Sequence, residues 1–131
     1  MIDVDQIFSQ FLNSQTTLTA LTSNRIWRIT SPNSYKVSSG TALIWTVNSI
    51  ESHNPIYHDK VLDVDITLRG YASNANSLRD LHKVLMTIFA GNHIRYGEYD
   101  ICLNTLTGGQ IYQEEDSENW TILLFLSTLM K

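Results

Sequence analysis

Disulfide chemistry is excluded at the outset, because Cys102 is the chain's single cysteine. One thiol also fits a reducing compartment. Charge is scarce as well. Asp, Glu, Lys and Arg make up 17% of residues, below the roughly one quarter usual for soluble domains. The surface must therefore lean on Ser, Thr, Asn and Gln. The net charge of −4 argues against the phosphate backbone of nucleic acid as the main partner. No apolar run is long enough to cross a bilayer: the longest, Ile122 to Met130, is broken by Ser127 and Thr128. Asp3 and Asp5 stand where a secretory leader would carry basic residues. Gly108-Gly109 lacks the following lysine of a phosphate loop, and no CxxC or HExxH spacing occurs. Repeats and low-complexity tracts are missing too.

What is present suits one domain spanning residues 1–131. A chain of this length buries roughly two-thirds of its surface and needs no staples. The stretch from Lys60 to Gly91 is the organising unit. In Val61–Arg69, Leu62, Val64, Ile66 and Leu68 alternate with Asp63, Asp65, Thr67 and Arg69, the period-two pattern of a strand wet on one side. Gly70 and Tyr71 end that strand. Ser73, Asn74 and Asn76 offer caps for a helix running to about Ala90, with Gly91 as its C-terminal cap. Leu78, Leu81, Leu85 and Ile88 form its stripe, widened by Val84.

Before this unit, Asp3 caps a helix over Val4–Leu12, with a further short turn at Leu18 and Leu21. Arg25–Thr30 and Thr41–Asn48 read as strands, separated by a Pro, Ser and Gly loop. The second strand is apolar on both faces, as if covered twice or met by a partner. Ser49–Lys60 reads as a long loop that carries Ile50, Ile56 and Tyr57. Asn92–Glu98 is a polar link. Tyr99–Thr107 and Gln110–Gln113 are extended about a turn or bulge at Gly108-Gly109. Glu114, Glu115 and Asp116 lie in an acidic tip, and Trp120–Leu129 is the last strand. The order α-β-β-β-α-β-β predicts an α+β fold. Its mostly antiparallel sheet would have about four to five strands, with two helices on one face.

The reactive side chains do not assemble into a site. Asp63 and Asp65 read as a solvated face balanced by Arg69. His53 and His58 beside Asp59 supply too few ligands for zinc. Cys102 reads as a small core residue, since it would need His82 or His93 as a base to act as a nucleophile. Trp27, Trp45 and Trp120 read as core or interface residues. The chain therefore reads as an assembly protein, not an enzyme, with no cofactor and no metal.

Several stretches carry a resemblance. They are the Leu18 and Leu21 turn before Arg25-Ile26-Trp27, and the strand Ala42–Val47. Val64–Leu68 followed by Ser77–Leu81 is the next. The last is Tyr112-Gln113-Glu114-Glu115 leading into Trp120–Leu129. Over nearly its whole length the chain resembles the tail-completion, or tail-terminator, proteins of long-tailed phages, also called tail-to-head joining proteins. The resemblance implies a structural subunit of a hexameric ring at the head-proximal end of the tail, assembled in the host cytoplasm. Such a ring ends tube polymerisation and meets the head-completion or connector protein. The implied partners are other copies of the chain, the tail tube protein and that connector. The resemblance also implies a ring open to the passage of DNA, with no sequence-specific nucleic-acid contact and no membrane. The implied interface residues are Ile50, Ile56, Tyr57 and His58 in the long loop, with Glu114, Glu115 and Asp116 at the acidic tip. The alternatives are a head-neck adaptor of the same virion, or a small α+β ligand-binding domain or enzyme.

Overall fold

A computed structural model describes residues 3–28, 40–52, 61–90, 93–113 and 119–131. Along the chain come α1 (Val4–Ser14), α2 (Thr16–Thr22), β1 (Ile26–Arg28), β2 (Thr41–Ser52), β3 (Leu62–Ala72), α3 (Ala75–Ile88), β4 (His93–Tyr96), β5 (Tyr99–Gln113) and β6 (Trp120–Met130). The strands form one sheet in the order β1-β2-β3-β6-β5-β4. β1 runs parallel to β2, and every other pairing is antiparallel.

The expected architecture needs correction. The sheet is mixed and six-stranded, curled into a half-barrel, and it carries three helices. It is not a mostly antiparallel sheet of four to five strands with two helices. The extra strand, β4, occupies part of the predicted polar link. Its burial alternates between exposed and half-buried, as an edge strand tolerates, so it carries no apolar run to announce it. The extra helix, α2, has a weak local signal because Thr is a poor helix former. Burial of Leu18 and Thr22 holds it in place. The Thr22 hydroxyl donates to the Leu18 carbonyl at 2.9 Å, so its burial leaves no unmet polar group.

Several boundaries move for identifiable reasons. β3 does not end at Gly70-Tyr71 but continues to Ala72. Gly70 lies under α3, and a Cβ there would run into Leu81 Cδ2 and Ile122 Cγ2. The glycine permits close helix–sheet approach rather than a turn. α3 starts as expected: Asn74 Oδ1 accepts from the Ser77 backbone N–H at 2.9 Å. It stops at Ile88, and Phe89 (φ −99°) turns inward. The predicted cap, Gly91, lies outside the described residues. β2 extends to Ser52, so Ser49–Ser52 are strand rather than loop.

One main core lies between the helices and the sheet. It takes Phe8, Phe11 and Leu12 from α1, Leu78, Leu81 and Leu85 from α3, alternate residues of β2, β3 and β6, and Ile26 and Ile101 from β1 and β5, with Ile94 and Tyr96 of β4 packed half-buried against it. Leu62, Val64, Ile66 and Leu68 all face it, as their alternation predicted. A smaller cluster of Ala42, Ile44 and Tyr71 lies on the opposite face, which accounts for the doubly apolar character of β2.

Candidate functional site

Of the residues assigned to an interface from sequence, one falls within the described structure. Ile50 sits on β2, not in a loop, with 48% of its surface exposed. The ladder shifts between Val47 and Ser49, after which Ile50 stands opposite Val64. The bulge thereby returns Ile50 to the helix-bearing face. It borders a notch of about 260 Å³ together with Val47, Asp5 and Arg28. The Arg28 Nε–H donates to Asp5 Oδ1 at 2.8 Å. Ile56, Tyr57 and His58 lie outside the described residues, as do Glu114, Glu115 and Asp116.

The feature that sequence reasoning missed is the outer edge of β5. β4 pairs with β5 only from Tyr99 to Cys102. From Leu103 to Gln113 that edge has no strand partner among the described residues. Not one charged residue occurs from Ile101 to Gln113. Exposed edges usually carry lysine, proline or bulges against unwanted pairing. This one has no lysine or proline, but it has two bulges, between Cys102 and Thr105 and between Gly108 and Gln110.

The first bulge is held from inside. Buried Thr128 places its Oγ1 3.2 Å from the Cys102 carbonyl and 2.6 Å from Asn104 Oδ1, and Asn104 Nδ2 donates to the Ile101 carbonyl at 3.3 Å. Leu103 is left at φ +52°, a left-handed conformation unusual for a bulky residue. It is 64% exposed, more than any other large apolar side chain described. The second bulge rests on Gly108 and Gly109, both at positive φ, where glycine carries no steric penalty. A Cβ on Gly109 would meet the His82 ring of α3. Tyr112, further along the edge, is also exposed. The missing charge was readable in the sequence. The edge position and the Leu103 conformation were not.

The candidate reactive residues remain dispersed. Cys102 is buried on β5, and its Sγ donates to the Leu129 carbonyl at 3.4 Å. His93 is its cross-strand neighbour, but the His93 ring turns to Asp100. Asp63 and Asp65 are exposed on the face away from the helices, where Asp65 Oδ2 accepts from the Ser49 hydroxyl at 3.0 Å. Phe125 stands exposed among Thr107, Thr105, Ser127 and Asn48 on that face. Trp45 is core, Trp120 is half-buried and Trp27 is 36% exposed. Among the described residues, no three His, Cys, Asp or Glu side chains are grouped to hold a metal ion. No helix among them is long and apolar enough to cross a membrane.

One ionic cluster ties the β4–β5 hairpin together. Asp100 receives the His93 Nε2–H on Oδ1 at 2.6 Å and Arg95 Nη1 on Oδ2 at 3.1 Å. The His93 hydrogen bond, followed by that from Arg95, holds the Asp100 carboxyl below the ordinary aspartate value of 3.8. A carboxyl whose pKa falls on folding stabilises the fold above its unfolded pKa. That contribution disappears as pH falls through the folded value. The stability difference between the parent and Asp100→Asn should therefore be flat above about pH 5 and shrink below about pH 4. Urea unfolding of both proteins across this range measures it. A difference independent of pH would show that the cluster carries no charge-dependent stability.

No protein-family model matches the chain, and no curated protein matches it in sequence.

Proposed function

We propose that this chain is a structural virion subunit that forms a ring on the end of a phage tail tube, stops its polymerisation and joins it to the head connector. The observation that carries the reading is the β5 edge. Beyond its pairing with β4, the edge of β5 turned away from β6 meets no further strand among the described residues, and no residue from Ile101 to Gln113 is charged. Unpaired N–H and C=O groups without charged guards invite pairing with another chain. A protein that works alone in solution gains nothing from such an edge, whereas an assembly subunit can use it. Ile50, Leu103 and Tyr112 add exposed apolar surface of the kind that interfaces bury. The dispersed reactive residues favour assembly over catalysis in the same way. The hexameric count, the tail tube and the connector come from the resemblance alone.

The decisive experiment uses the purified full chain. Light scattering behind size exclusion should give a mass several times the 14.9 kDa subunit, and negative-stain microscopy should show closed rings. Added to polymerising tail tube protein, the rings should cap tube ends and arrest growth. A monomer at every concentration, with no effect on tube length, would overturn the reading.

A further inference from the structure

We draw no further inference here: the strongest candidate, the outer edge of β5 with its exposed Leu103 and Tyr112, carries nothing, because nothing in the structure shows what covers it.

Discussion

Phe8→Ala lowers the free energy of unfolding by about 3–5 kcal/mol, the range for deleting a buried aromatic ring. Phe8 has no exposed surface and is the joint between three parts of the fold. Its ring meets Trp45 of β2 edge-on at 5.0 Å between centroids and stacks on Phe89, just past α3, at 6.2 Å. Phe11 lies beside it at 6.5 Å and reaches Phe89 and Tyr96. Aromatic pairs of this kind add about 0.5–1.5 kcal/mol beyond the area they bury. The cavity left by alanine would be walled by rigid rings that cannot easily collapse into it. Equilibrium unfolding in urea, at concentrations where the subunit is monomeric, gives the value. A loss below about 1 kcal/mol, outside the range for a buried aromatic, would mean that α1 does not dock on the sheet through this ring.

Leu85→Ala costs about 2–5 kcal/mol. Leu85 is fully buried in mid-α3, in the same stripe as Leu78 and Leu81. Those two side chains also approach Gly70, where helix and sheet come closest. Shortening Leu85 removes contacts in a layer that the backbone holds at fixed separation, so relaxation is limited. The same urea measurement applies. An exposed α3 position such as Met86, 53% exposed, should lose under about half a kcal/mol when changed to Ala. If the two substitutions cost the same, the helix face is wrongly assigned.

The two substitutions differ in how readily the sequence reveals them. Leu85 belongs to a stripe at helical spacing beside an alternating strand, and both periodicities are local properties of the chain. Phe8 was readable as part of an apolar helix face, but its contacts with Trp45 and Phe89 join residues far apart in sequence. The helix, expected to run to about Ala90, ends at Ile88 with Phe89 as its C-cap, the Phe89 N–H donating to the Leu85 carbonyl and its ring buried. Gly70 was misread as a strand end. A glycine in a strand pattern can mark a turn or a close approach, and only the helix passing over it decides which.

Of the candidate surface, the sequence showed that Ile50 is apolar in polar surroundings and that residues 101–113 carry no charge. It could not show that Ile50 is on a strand, returned to the helix face by a bulge, nor that β4 covers the outer edge of β5 only as far as Cys102. By itself the sequence determined the cap at Asp3, the set Ser73, Asn74 and Asn76 from which the α3 cap comes, the stripe of α3, the inward face of β3 and the chain order of the longer strands. All follow from side-chain spacing over a few residues. The tertiary structure alone decided the parallel pairing of β1, the addition of β4, the extension of the Leu18 and Leu21 turn into α2, and the curl of the sheet. Strand neighbours, direction and register are set by contacts between distant segments competing for the same core, and no local period encodes that outcome.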